Sequence, residues 1–86
     1  MNIKTTEQIQ NWLVSYIADL LEISPNEVDL TTPFDRYGLD SSSVVGLTAE
    51  LGDWLGKELQ PKLMYDYPTI EVLVDNLVQQ FTTSPS

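Results

Sequence analysis

Ser41 lies in the run Tyr37-Gly38-Leu39-Asp40-Ser41-Ser42-Ser43-Val44-Val45, where a polar stretch gives way to an amphipathic helical pattern. A hydroxyl at that junction is exposed and held at a helix start. Acid surrounds it, with Asp35 and Asp40 before it and Glu50 and Asp53 after it. A serine becomes a nucleophile when a neighbouring base takes its proton. The chain has no histidine and no cysteine. Ser41 is therefore better read as a place of attachment than as a nucleophile at work.

The other candidate chemistries fail on spacing. Paired carboxylates can do acid–base work, but here they are scattered along exposed helix faces and loops, as solvated surface is. Asp35 and Asp40 lack the spacing of a calcium loop. No Gly-rich phosphate loop is present, and no thiolate metal site is possible.

Four helical patterns must position Ser41. In the first, about Thr5 to Glu22, Ile9, Trp12, Leu13, Tyr16, Ile17 and Leu20 fall on one stripe. Thr5 and Gln8 have capping-box spacing. Ser24-Pro25 is expected to end this helix or to force a turn after it. Residues 23–40 form a long connection, and Val28, Leu30, Phe34 and Leu39 could pin it to the bundle. The second helix is expected over Ser41–Leu55, capped by Asp40. Its buried stripe is Val44, Leu47, Leu51, Trp54 and Leu55. Ser42, Val45, Gly46, Ala49 and Asp53 share the opposite side, a face of small or acidic residues that admits close approach by a partner. Ordinary solvent-facing surface would give the same pattern. Gly46 and Gly52 each cost a helix interior roughly 1 kcal/mol against alanine. Gly56 is the expected C-cap. A short third helix is predicted over Pro61–Tyr65. Thr69 caps a fourth over 70–81, with Ile70, Leu73, Val74, Leu77 and Phe81 inward.

Composition bounds the rest. The 86 residues make one domain, and a chain this short buries only about 60–65% of its unfolded surface. A hydrophobic fraction of 42% suffices for a core. Thirteen acids against four bases leave a net charge of −9. Nucleic acid and anionic membrane surfaces are disfavoured, since both need Lys and Arg. Basic patches on proteins are the favoured partners. No apolar run approaches the roughly 18 residues of a membrane span. The N-terminus shows no signal-peptide core, so the expected compartment is the cytoplasm. The same charge predicts a monomer.

Gly38-Leu39-Asp40-Ser41 at a helix start, the long first loop with Phe34, the acidic helical pattern and Tyr67-Pro68-Thr69-Ile70 at the last helix together resemble an acyl carrier protein of the polyketide-synthase type. The resemblance runs from about Ile9 to Phe81. It implies an all-α fold, a four-helix bundle with a long loop between helices 1 and 2 and a short third helix. It places the carrier domain at 1–81, with 82–86 a disordered tail, and leaves open a free-standing protein or a domain excised from a larger synthase. It implies 4′-phosphopantetheine on Ser41, with Asp40 supporting recognition by a phosphopantetheinyl transferase. Acyl groups would then travel as thioesters between an acyl-loading enzyme, a fatty acyl-AMP ligase or an acyltransferase, and downstream synthase or tailoring enzymes. The carrier itself would catalyse nothing. Docking is expected on Ser42, Val45, Gly46, Ala49 and Asp53. An aliphatic chain would be tolerated near Val45, Leu63 and Met64.

Three residues depart from the family pattern. Ser42 stands where carriers usually have Leu or Met, and Gly46 and Gly52 stand where several carry acids. All three suggest a narrower set of partners. The stretch Leu51-Gly52-Asp53-Trp54-Leu55-Gly56, with Tyr65-Asp66-Tyr67 after it, looks most like carriers loaded by acyl-AMP ligases. The alternatives are a peptidyl carrier, although the usual Gly-Gly pair is absent, or an acidic helical interaction module with no use for Ser41.

Overall fold

The structure, a computed structural model, describes residues 5–82, with side chains through residue 80. Four helices follow in order: α1 (Thr6–Leu21), α2 (Ser41–Leu55), α3 (Lys62–Asp66) and α4 (Ile70–Thr82). No strand occurs among the described residues; Pro33 and Thr69 make one isolated antiparallel bridge. The all-α expectation holds. Phe81 and the tail beyond Thr82 lie outside the described side chains and residues.

Thr5 caps α1 as its spacing predicts. Its Oγ1 accepts from the Gln8 N–H at 3.1 Å, and Gln8 Oε1 accepts from the Thr5 N–H at 2.9 Å. The helix ends at Leu21, and Pro25 opens the turn that follows it. Glu22 turns left-handed (φ 57°, ψ 45°), and its N–H and that of Ile23 close back onto the Ala18 carbonyl. This is the closure usually left to glycine. Leu20 departs from the expected stripe. It is exposed, while Ala18 is buried and Leu21 and Ile23 pack against the core. The chain's exit past Glu22 covers that side of the last turn.

Ile9, Leu13 and Ile17 of α1 meet Leu73, Val74 and Leu77 of α4, with Leu47 and Leu51 of α2 completing the interior. Each fully buried aliphatic side chain contributes about 1.5–3 kcal/mol. On α2 the buried set is Val44, Leu47, Thr48, Leu51 and Gly52, while Trp54 and Leu55 are only half-buried. Thr48 replaces an apolar residue because its hydroxyl donates to the carbonyls of Val44 and Val45, at 3.0 and 3.1 Å. Gly52 is buried because the chain after Gly56 returns directly over it. A Cβ there would sit 2.5 Å from the Lys57 carbonyl oxygen.

The connection between α1 and α2 carries two single-turn 3-10 helices, Pro25–Glu27 and Phe34–Tyr37. Val28 and Phe34 are buried and Leu30 and Leu39 partly so, which makes them the pins the pattern predicts. Backbone pairing does the rest. The Phe34 N–H donates to Pro68 O at 2.8 Å, and the Glu71 N–H donates to Leu30 O at 3.0 Å. The loop before α2 is thus tied to the junction between α3 and α4.

Candidate functional site

Ser41 is the first residue of α2, and its side chain is exposed. Three local features place it there. Gly38 ends the Phe34–Tyr37 turn with φ 75°, a left-handed conformation that side chains other than glycine adopt at a cost. The Tyr37 hydroxyl donates to Asp29 O at 2.6 Å and accepts from the Asp29 N–H at 2.8 Å, which closes the loop on itself. Asp40 is then extended (φ −86°, ψ 179°), and its Oδ1 accepts from the Ser43 N–H at 2.8 Å. That hydrogen bond holds the Asp40 carboxyl below the usual carboxylate range. A carboxylate therefore caps the helix whose first residue presents the hydroxyl.

A groove of about 440 Å³ opens beside this start. Phe34, Leu39, Val44, Met64, Tyr65 and Pro68 form its walls, with Asp35 and Arg36 on the loop side. Leu39 and Val44, which bracket Ser41 in the chain, both line it. The groove is thus a largely apolar slot between the loop, α2 and α3, and two of its wall residues flank Ser41 in the chain. Of the three residues expected near an aliphatic chain, Met64 lines this groove. Leu63 lines a different depression with Leu59 and Lys62, and Val45 faces solvent.

The expected partner face is divided. Ser42, Ala49 and Asp53 are exposed, and Val45 is 50% exposed. Gly46 is half-buried and turns toward α1, where a Cβ would lie 3.7 Å from the Tyr16 hydroxyl. That hydroxyl donates to Glu50 Oε2 at 2.8 Å. Burial, then the Glu50 carboxylate, raise its pKa above the ordinary phenol value.

Sequence reasoning treated Phe34 and Leu39 as pins and missed that they wall a groove. The signal was present: both lie in the same loop as Gly38, just ahead of the serine. The Tyr67-Pro68-Thr69-Ile70 stretch gains a structural role. The Pro68 carbonyl receives the Phe34 N–H, and Thr69 Oγ1 accepts from the Val72 N–H at 3.3 Å to start α4.

Known proteins share this arrangement. The family model described as a phosphopantetheine attachment site matches residues 11–77. The chain is 58% identical to the acyl carrier protein TtuC of Teredinibacter turnerae over 52 residues, which are 60% of this chain and 60% of TtuC. It is 30% identical over 74 residues, 86% of this chain, to the polyketide synthase PksL of Bacillus subtilis, of which the match spans 2%. The match therefore spans less than two thirds of either relative's length. The solution structure of an acyl carrier protein from Anabaena sp. PCC 7120, with a variant phosphopantetheinylation-site sequence, superposes with a TM-score of 0.86 at 38% identity, covering 94% of this chain and 92% of that one. With an exposed serine at a capped helix start and a family match across 11–77, the chain belongs to the phosphopantetheine-attachment family, the carriers that bear covalent 4′-phosphopantetheine.

Proposed function

We propose that the chain is an acyl carrier, with Ser41 as its phosphopantetheine attachment residue and Asp40 as part of what the transferase reads. The observation that carries this reading is the placement of the Ser41 hydroxyl. It is exposed and first in a helix capped by Asp40, and Leu39 and Val44 on either side of it in the chain wall an apolar groove. The family is generally non-catalytic, and a chain without histidine or cysteine is suited to that role. The transferase supplies the base that removes the Ser41 proton.

When attached, the arm supplies a thiol on which acyl groups are held as thioesters. The chain's own residues then have three tasks. Asp40 keeps the start of α2 wound, so that the hydroxyl has one direction. Leu39, Val44 and Met64 give the attached group an apolar wall to lie against. Ser42, Val45, Ala49 and Asp53 offer partners a face with little apolar bulk and with acid at its end. Small polar interfaces, below about 1,200 Å², suit encounters that form and break quickly. The partners in this reading are a phosphopantetheinyl transferase, a fatty acyl-AMP ligase or acyltransferase that loads the thiol, and synthase enzymes downstream, all in the cytoplasm. The carrier domain is 1–81, working as a monomer.

Intact mass after incubation with coenzyme A and a broad-specificity phosphopantetheinyl transferase tests this. One added phosphopantetheine on the wild type and none on Ser41→Ala is the expected result. A folded wild type that gains no mass with that enzyme or with the cognate transferase would leave the interaction-module reading instead.

A further inference from the structure

The seam between α1 and α2 holds a second surface, away from the groove beside Ser41. Trp12 is sandwiched there. Its ring stacks on Tyr16 at 5.2 Å and 17°, and on Trp54 at 5.6 Å and 18°. All three side chains are only partly buried, so the stack reaches the surface instead of disappearing into the core. Trp12 and Tyr16 floor an open depression of about 470 Å³ whose other walls are Ser15, Asp19 and Glu50.

Two carboxylates therefore stand at the rim of an aromatic slab. Asp19 is exposed, and its carboxylate makes no hydrogen bond or ion pair among the described residues. Glu50 spends Oε2 on the Tyr16 hydroxyl at 2.8 Å, and its Oε1 accepts nothing there. The Tyr16–Glu50 bond fixes one carboxylate against the aromatic edge, so its free oxygen has a set direction. A stack alone would be an ordinary staple between two helices. The staple does not require two acids beside it in a chain with net charge −9, where each added acid raises self-repulsion.

The chemistry that matches is a planar cation. A guanidinium packs against the accessible part of an aromatic ring and donates through its fork to carboxylates beside it. An ammonium is more tightly hydrated and lacks the plane, so it fits this surface less well. We propose that the depression lined by Trp12 and Tyr16 and rimmed by Asp19 and Glu50 is a docking surface for an arginine-bearing segment of a partner protein. It lies around α2 from the groove side of Ser41, so a partner could hold the carrier there while the serine end stays free. The proposal does not depend on modification of Ser41.

The test titrates the full chain with a short arginine-containing helical peptide and with its lysine counterpart, at fixed ionic strength. The indole N–H resonances of Trp12 and Trp54 are followed by NMR. Saturable shifts of both indoles with the arginine peptide, weaker with lysine, are expected. Asp19→Asn with Glu50→Gln should weaken binding about fivefold, as the loss of two partly exposed charge contacts predicts. Gln can still accept from Tyr16, so the fold is kept, and unchanged amide dispersion checks it. Glu7→Gln with Glu58→Gln removes the same charge elsewhere and should leave binding within twofold. Indoles that stay still while other resonances move would overturn the proposal. Equal losses in both double variants would overturn it too, since the attraction would then belong to the net charge. Because the readout is on the unmodified chain, its failure is distinct from a failure of Ser41 to accept the arm.

Discussion

The carbonyl of Lys57 lies directly over the Cα of Gly52, so close that a Cβ would meet it at 2.5 Å, and the Lys57 N–H donates to Gly52 O at 2.9 Å. The end of α2 and the chain leaving it are thus packed backbone to backbone. Gly46, six residues earlier, has no such constraint, because its nearest neighbour would be the Tyr16 hydroxyl at 3.7 Å.

Two substitutions with identical chemistry should therefore have opposite signs. Gly46→Ala should raise stability by about 0.5–1 kcal/mol, the ordinary helix gain. Gly52→Ala should lower it by about 1–3 kcal/mol, because the backbone must move to admit the methyl. Urea unfolding midpoints of the two variants check this.

Glu22 holds a left-handed conformation without glycine's freedom. Glu22→Gly should stabilise the chain by about 0.5–1 kcal/mol by removing that strain, net of the extra flexibility of the unfolded chain. The gain should appear in the thermal midpoint, and the hydrogen exchange of the Ile23 amide should slow with it.

Tyr37→Phe removes the hydroxyl that both gives to and takes from Asp29. Stability should fall by about 1–2 kcal/mol. The more specific sign is local: the Asp29 amide should lose its exchange protection while α1 and α4 keep theirs.

Asp40 gives a pH dependence. Its folded-state pKa is lowered by the Ser43 N–H. The stabilisation is therefore complete above the unfolded carboxylate range, near pH 4, and is lost as pH falls through the lower folded value. Asp40→Asn keeps a capping oxygen without the charge. The gap in urea midpoint between wild type and Asp40→Asn should be constant from pH 7 to 5. It should shift against the wild type as pH drops below about 4. Comparing the two chains cancels the relief of acidic self-repulsion that both gain on acidification.

Much of this was legible before the structure. The Thr5–Gln8 capping box, the helical stripes apart from Leu20, Trp54 and Leu55, and the Asp40 cap are local patterns that reappear where their spacing put them. Glu22 was not legible, because no glutamate announces a left-handed turn and the nearby Pro25 drew attention to itself. Gly46 and Gly52 read alike as weak points in a helix; only the returning chain at Lys57 separates them. The groove was hidden for the same reason. Phe34 and Met64 are thirty residues apart, and their common wall depends on the Phe34–Pro68 backbone bond, which no periodicity records. Trp12 and Trp54 each fell on a stripe, but stripes say which way a ring turns and not which ring it meets.

The stacked indoles also make the molecule its own optical reporter. Trp12 and Trp54 are the chain's two tryptophans and lie 5.6 Å apart. Tryptophan fluorescence and the indole bands of the near-ultraviolet dichroism will therefore follow chiefly the parting of α1 from α2. Among the described side chains α4 carries no tyrosine or tryptophan, so its unwinding is silent in both signals. Agreement between the indole signal and far-ultraviolet dichroism during unfolding would mean that the seam and the bundle come apart together. A seam that parts first would separate the two curves.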